Sequence, residues 1–257
     1  PEGWSRKNTT TVNLGIGLAR KGKRVVLIDA DPQGSMTVSL GIDEPDKIEY
    51  SLANVLMDVV NEEEIDYAKI ILKHEENIDF IPANIELAGL EVSMVNVMSR
   101  ELVMKRFISN IKENYDYILI DSPPALGVLT VNAFTASDYV LVPMLSDIFS
   151  LQGITQLDET ICRVRNYCNP RIQILGVFLT KHNPRTNFSK EVEGALRMVA
   201  EDLDVPVLDT FIRDSVALRE AQSLQRSVLE YAPECNAVQD YKKLIQELIQ
   251  RGLKADV

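Results

Sequence analysis

The fold is decided by the stretch Val25-Val26-Leu27-Ile28-Asp29-Ala30-Asp31-Pro32-Gln33-Gly34. Its short, continuous apolar run predicts a strand that is buried on both faces, as in a parallel sheet. A second run, Tyr117-Ile118-Leu119-Ile120-Asp121, has the same form and is followed by Ser-Pro-Pro. The carboxyl ends of parallel strands line the ligand crevice of an open α/β sheet. We therefore expect Asp29, Asp31 and Asp121 to lie at one crevice.

The rest of the chain alternates strand patterns with helix patterns. Further strands are predicted at residues 78–82, 139–143, 172–179 and 207–208. Apolar residues at helical spacing predict helices at residues 9–20, 86–113 (two helices), 152–167, 189–203 and 237–253. The charge-rich residues 43–76 are expected to form a helical excursion on the surface. This alternation predicts one doubly wound, mostly parallel α/β sheet with helices on both faces, in a single domain over residues 1–257.

The composition excludes several classes of protein. The chain carries 27 basic and 38 acidic side chains, for a net charge of −11, so DNA contact would need a local basic patch. No window approaches the ~18 consecutive apolar residues of a membrane span, and we expect no secretion signal. The three cysteines fit neither a disulfide framework nor a zinc pattern, which is typical of a reducing cytoplasm.

The acidic ends of the two strands suit a phosphate that is bound together with Mg²⁺. Hard cations take oxygen ligands, and Mg²⁺ usually keeps several waters that carboxylates can hold in place. Either strand-terminal aspartate, taken alone, is explained by a role as a turn or N-cap residue. Two such strands in one sheet favour the metal-phosphate interpretation.

Several motifs together resemble the ParA/Soj family of chromosome- and plasmid-partitioning ATPases. They are Asp-Ala-Asp-Pro-Gln-Gly-Ser at residues 29–35 and the segments 81–88, 115–127, 151–153, 185–187 and 217–223. The resemblance covers residues 9–250. It implies a P-loop NTPase fold, ATP and Mg²⁺ as cofactors, and hydrolysis of ATP.

The resemblance also implies roles for individual residues. Thr9 would be a Mg²⁺ ligand, and Asp121 would be the Walker-B-type carboxylate that holds the metal through water. Asp31 would orient or activate the attacking water, with Asp29 supporting the metal shell and the switch loop. The nucleotide-binding positions carried over are Lys7, Asn8, Thr9 and Thr10.

The family's phosphate loop, Lys-Gly-Gly-Val-Gly-Lys-Thr-Thr, is not spelled in this sequence. Its glycines leave backbone N–H groups open to the phosphates and its lysines neutralise them, whereas residues 1–8 read Pro-Glu-Gly-Trp-Ser-Arg-Lys-Asn. Codons allowed for Glu2 to Thr9 spell Lys-Gly-Gly-Val-Gly-Lys-Thr when they are read one base later. We interpret residues 1–8 as an out-of-frame remnant of the loop, expect the first strand of the sheet to be missing, and predict weak or no ATP hydrolysis.

The resemblance further implies partners. Family members dimerise on ATP, bind non-specific DNA and respond to a ParB-like centromere-binding protein, so a cytoplasmic, nucleoid-associated protein that segregates a chromosome, plasmid or mobile element is expected. The DNA-binding candidates are Lys181, Arg185, Arg213 and Arg219. These residues match the DNA-binding pattern of the family least well, because relatives often carry arginine at the position of Ala217.

Two other interpretations stay open. One is a membrane-cycling ATPase of the MinD type, whose mark is a carboxyl-terminal amphipathic helix. Residues 241–254 have an apolar stripe and four basic residues but no Trp or Phe on it, so a helix packed on the sheet, without stable membrane association, is favoured. The other is a non-catalytic pseudo-ATPase that only binds a partner, because the phosphate loop is disrupted.

Overall fold

The computed structural model describes the backbone of residues 5–253, and the side chains of all of these except residues 5–7, 148 and 149. Its strands are β1 (Val25–Asp29), β2 (Leu72–His74), β3 (Ile78–Ile81), β4 (Tyr117–Asp121), β5 (Tyr139–Leu145), β6 (Gln173–His182) and β7 (Ile212–Arg213). Its α-helices are α1 (Ser5–Ala19), α2 (Ser35–Ser39), α3 (Leu52–Asn61), α4 (Tyr67–Ile70), α5 (Glu86–Ser93), α6 (Val103–Ile111), α7 (Val128–Ala136), α8 (Ile148–Tyr167), α9 (Asn187–Asp202), α10 (Val216–Ser223), α11 (Val228–Tyr231) and α12 (Asn236–Gln250).

The strands form two hydrogen-bonded groups. One has the order β2-β3-β1-β4 and the other the order β5-β6-β7. All pairings are parallel except the antiparallel pair β2–β3. The prediction of a mostly parallel α/β fold is therefore confirmed, whereas the prediction of one continuous sheet is not met within residues 5–253.

The two groups present their edge strands β4 and β5 without a shared hydrogen-bond ladder. Every residue of β1 is buried, but Ile118, Leu119 and Ile120 in the middle of β4 are only partly buried, although they are apolar. Leu141 to Pro143 of β5 are partly buried in the same way. Edge strands of this kind lack a neighbour on one side.

One core nevertheless joins the two groups of strands. The buried face of α1 packs on a hydrophobic cluster that includes Leu27 of β1, Phe178 of β6 and Leu244 of α12. On the opposite face, α3, α6 and α7 cover β1 and β3 through residues such as Leu56 and Phe107. Helix α1 therefore lies across both groups of strands and positions the candidate functional site.

Three expectations about smaller elements need correction. The excursion at residues 43–76 is not confined to the surface, because Leu52, Val55 and Leu56 of α3 are fully buried. The same segment contains β2, which has no apolar alternation and was not predicted. The strand expected at residues 207–208 is reduced to a single parallel bridge from Val207 to Val177, and the pairing continues instead at β7.

Candidate functional site

The carboxyl ends of β1 and β4 bring the predicted aspartates together. Asp29 and Asp121 are paired neighbours in the parallel register, and the N–H of Ala30 donates to the carbonyl of Asp121 at 2.8 Å. Asp31 follows two residues later and is also buried. The structure therefore places these three residues near the carboxyl ends of neighbouring strands, and we call them the carboxylate edge.

Asp29 holds the loop that follows β1. One of its oxygens accepts from the N–H and the hydroxyl of Thr37, both at 2.8 Å, and the other accepts from the N–H of Asp31 at 3.2 Å. Desolvation on complete burial raises the pKa of Asp29 to about 6, although the bonds from Thr37 and Asp31 oppose this rise. Both oxygens of Asp29 are therefore engaged by the loop that carries Asp31.

The same loop is fixed at two further points. The hydroxyl of Thr37 accepts from the N–H of Ala83 at 2.9 Å, which ties the loop to the end of β3. Gly34 has φ of +59°, and a Cβ there would lie 3.2 Å from the carbonyl oxygen of Ala83. A side chain at this position would meet both an unfavourable backbone conformation and a close contact.

Asp31 stands at the turn of this loop. Its Oδ1 accepts from the N–H of Gln33 at 3.0 Å, and its carbonyl accepts from the N–H of Gly34 at 2.9 Å. The carboxylate is held by its own backbone turn, and its backbone N–H is bonded to Asp29.

Asp121 is linked to α1 by a residue that the sequence analysis missed. The hydroxyl of Thr11 donates to Oδ1 of Asp121 at 3.2 Å. Thr9, the predicted metal ligand, is two residues earlier and therefore on a different face of the helix, where it is partly buried and lines a cleft, while the side chains of Asn8 and Thr10 are buried. Only the helical phase of α1 selects Thr11 among three consecutive threonines, so the motif alone could not single it out. The side chain of Lys7 lies outside the described part of the chain.

Beside the start of α1 lies a cleft of about 430 Å³. Thr9 and Thr10 form one wall, and β7 with the amino-terminal half of α10 forms another. Three of the four predicted DNA-binding residues line this cleft, namely Lys181, Arg213 and Arg219. The fourth, Arg185, is exposed on the segment between β6 and α9 and does not belong to it.

The cations of the cleft differ in their partners. Arg213 makes a bidentate ion pair with Asp240 of α12, and this side-chain hydrogen bonding raises the pKa of the guanidinium. Arg219 pairs with Asp214 at 2.8 Å, where both side chains are about half exposed. Lys181 is exposed, and no carboxylate of the described residues lies within ion-pair distance of it.

The donor set at the carboxylate edge fits a magnesium ion that keeps water or phosphate ligands. Carboxylates of Asp121 and Asp31 and the hydroxyl of Thr11 are hard oxygen donors of the kind that Mg²⁺ selects. Residues 5–253 contain no cluster of three or more acidic, histidine or cysteine ligands that could enclose a metal. A bound nucleotide would therefore have to complete the coordination shell, as is usual for Mg²⁺ at phosphate sites.

Comparison with known proteins agrees with this geometry. The model of a family described as an AAA domain matches residues 2–174. The sporulation initiation inhibitor protein Soj of Bacillus subtilis is 40% identical over 246 residues, which cover 96% of this chain and 94% of Soj. The chromosome partitioning protein ParA of Caulobacter vibrioides is 41% identical over 248 residues, with 95% and 90% covered. The chain belongs to the Soj/ParA family of partitioning ATPases.

A solved structure extends this assignment to the ligands of the family fold. The cobyrinic acid a,c-diamide synthase of Mycobacterium smegmatis, crystallised with an ATP analog and magnesium, is 31% identical and superposes with a TM-score of 0.81. The match covers 96% of this chain and 90% of that protein. Within residues 5–253, no helix is long and apolar enough to cross a membrane.

Proposed function

We propose that this chain is an ATP-dependent DNA-partitioning protein that binds Mg²⁺ and ATP at the carboxylate edge and the adjacent cleft. The observation that carries the proposal is the meeting of Asp29, Asp31 and Asp121 beside the start of α1. Membership of the Soj/ParA family supports hydrolysis of ATP, dimerisation on ATP and a ParB-like partner. Residues 1–257 would act as one unit that segregates a chromosome, plasmid or mobile element.

The residues of the site would have different roles in phosphoryl transfer. A bound Mg²⁺ would neutralise the charge that develops on the phosphates. Asp121 and the threonine hydroxyls of α1 are the residues that would hold this ion. Asp31 would orient the attacking water and accept its proton at a carboxylate oxygen, while Asp29 keeps the loop of Asp31 in place. Positioning and charge neutralisation account for most of the catalysis in this reaction class.

Substitution of Asp121 tests this proposal directly. D121N removes the charge that would hold the metal, so we expect the Mg²⁺-dependent part of ATP binding to fall at least tenfold. D116N is the matched control, since Asp116 precedes the amino end of the same strand and pairs with Arg24 at the surface. The measurement is the affinity for ATP of both variants and of the unaltered chain, in Mg²⁺ and in EDTA. Equal Mg²⁺ dependence in all three would overturn the proposed site.

Binding to non-specific DNA is the second part of the proposal. The charges of Arg213 and Arg219 are balanced by Asp240 and Asp214, and Lys181 lines the cleft, so Arg185 is the predicted contact that can be tested apart from the cleft. R185E should weaken binding to duplex DNA of any sequence and reduce the slope of log affinity against log salt by about 1. R185K, which keeps the charge at the same position, serves as the control. A salt slope unchanged by R185E would remove Arg185 from the interface.

The membrane-cycling alternative is disfavoured by the packing of α12. The apolar stripe of that helix, which includes Val238, Leu244 and Leu248, is buried against α1 and the strands. A face that is already buried is not available to lie on lipid. Co-sedimentation with anionic liposomes should leave the protein in the supernatant, with and without ATP.

The pseudo-ATPase alternative concerns residues 1–8 and no other part of the site. The carboxylate edge is assembled, so nucleotide binding without turnover would point to the disrupted phosphate loop as the defect. We propose that residues 1–8 are a frame-shifted remnant of this loop. The DNA sequence across their codons, read in all three frames, tests that interpretation.

A further inference from the structure

The carboxyl-terminal helix α12 holds one wall of the cleft from behind. β7 has only two residues, and its pairing with β6 leaves its other edge without a neighbouring strand. Carboxylates of α12 take the place of that strand. Glu247 accepts from the N–H groups of Asp209 and Thr210, both at 2.9 Å, and Asp240 accepts from the N–H of Arg213 at 3.1 Å.

Asp240 differs from Glu247 because it also accepts hydrogen bonds from a side chain that lines the cleft. Its two oxygens accept from Nε of Arg213 at 2.8 Å and from Nη2 at 2.6 Å. The carbonyl of Asn236 accepts from the same Nη2 at 3.2 Å. Asp240 is almost fully buried, whereas the Arg213 side chain is about one-third exposed. Arg213 is therefore fixed in orientation, and its Nη1 remains as the donor group outside these bonds.

The chemistry of a neutralised guanidinium indicates what Arg213 would contact. Bidentate pairing with a buried carboxylate cancels most of its net attraction for an anion, but leaves its N–H donors available to a neutral acceptor. A nucleoside offers such acceptors on its base and sugar. The exposed Lys181 in the same cleft is the better partner for phosphate, because no carboxylate of the described chain neutralises it.

Residue 241 links the same helix to the opposite wall. Tyr241 lines the cleft, is almost fully buried, and lies next to the Thr10 hydroxyl of α1. Burial raises the pKa of its phenol, so it stays a neutral hydrogen-bonding group. Consecutive residues of α12 thus contact both walls, Asp240 at β7 and Tyr241 at α1.

We propose that Asp240 is a positioning residue that orients Arg213 to donate to the base or sugar of the bound nucleotide. The carboxyl-terminal helix thereby sets the preference of the cleft for a nucleotide over a bare phosphate chain. This inference rests on the proposed function, since it assumes that the cleft takes the nucleoside part of ATP.

The test compares D240N with E247Q by calorimetric titration of the full chain with ADP, adenosine and tripolyphosphate. Both variants replace a carboxylate of α12 that holds segment 209–213, but the partners of Glu247, Asp209 and Thr210, do not line the cleft. D240N should weaken ADP and adenosine binding by the same factor, about tenfold for one oriented hydrogen bond. It should not weaken tripolyphosphate binding, because the guanidinium of Arg213 loses its neutralising carboxylate, and E247Q should leave all three ligands within twofold.

Several outcomes would overturn the inference, and they are separable from failure of the proposed function. If D240N and E247Q weaken ADP binding equally, or if D240N weakens tripolyphosphate binding as much as ADP binding, Asp240 only stabilises the fold. If the unaltered chain binds ADP no better than tripolyphosphate, the inference fails while the phosphate site stands. If the unaltered chain binds none of the three ligands, the proposed function fails for this chain and the inference fails with it.

Discussion

The carboxylate edge and the cleft lie side by side, but they are built in different ways. At the edge, Asp29, Asp31 and Asp121 are buried. Bonds from a tight loop fix Asp29 and Asp31, and Thr11 of α1 bonds to Asp121. In the cleft, Arg213 and Arg219 are partly exposed, and each depends on one carboxylate partner. The edge is therefore expected to couple catalysis to stability, whereas the exposed Arg219 of the cleft can change its contacts with little effect on folding.

The largest effect is expected at Asp31. In a chain that hydrolyses ATP, D31N should lower turnover by about 10²- to 10⁴-fold, the usual range for removing a general base. Nucleotide affinity should stay within a few-fold, because Asp31 acts on the water and not on the nucleotide. Single-turnover hydrolysis and equilibrium binding separate the two quantities. A loss of affinity that equals the loss of rate would place Asp31 in nucleotide binding instead.

The pH dependence of stability tests the burial of Asp29. Its pKa rises from 3.8 to about 6 on folding, so between these values the folded state binds more protons than the unfolded state. The stability contributed by Asp29 is therefore complete below pH 4 and is lost as the pH rises through 6. Each pKa unit corresponds to about 1.4 kcal/mol, so the total change is about 3 kcal/mol.

D29N provides the reference for this measurement, since asparagine does not titrate. The free energy of unfolding of the unaltered chain minus that of D29N, measured by denaturant titration from pH 4 to 7, should fall with rising pH. A difference that is flat or that rises with pH would show that the carboxylate of Asp29 is not desolvated.

The T37V substitution tests whether the buried hydrogen bonds of the loop contribute as much to the free energy of unfolding as the carboxylate of Asp29. Valine matches threonine in shape but leaves the N–H of Ala83 and one site on Asp29 without partners. Unsatisfied buried groups cost about 1–3 kcal/mol each, so we expect a loss of about 2–3 kcal/mol in the free energy of unfolding. T37S retains the hydroxyl and should lose about 1 kcal/mol or less. Equal losses for valine and serine would assign the effect to packing.

The smallest effect is expected in the cleft. Arg219 and Asp214 form an exposed ion pair, and pairs of this kind contribute about 0–1 kcal/mol. R219A should change the free energy of unfolding by less than 1 kcal/mol at low salt, and by less still at high salt. A loss as large as that of T37V would contradict the expected difference in stability between the carboxylate edge and the cleft.

The sequence predicted the carboxylate edge because its signals are local. An apolar run that ends in aspartate places that aspartate at the end of a strand, and parallel pairing brings two such ends together. The helix phase that turns Thr11 toward Asp121 is fixed by tertiary packing, so three adjacent threonines could not be ranked. The two-residue β7 is also too short to give an alternation pattern.

The cleft was not predicted, because its pairs join distant parts of the chain. Asp240 stands 27 residues after Arg213, and no motif connects them, so Arg213 was interpreted as a free cation suited to DNA. The absence of a shared hydrogen-bond ladder between β4 and β5 was not predicted. Patterns within a segment report its burial, but not the neighbour that it lacks.

The most direct test of this account restores the phosphate loop. The shifted reading of residues 2–8 corresponds to the five substitutions E2K, W4G, S5V, R6G and N8T, with Gly3 and Lys7 unchanged. If the carboxylate edge and the cleft are otherwise complete, Mg²⁺-dependent ATP hydrolysis should rise at least 100-fold over that of the unaltered chain. The D31N change in the restored chain should abolish the gain, which excludes a contaminating ATPase. Equal turnover with and without the five substitutions, or no turnover in the restored chain, would contradict the account.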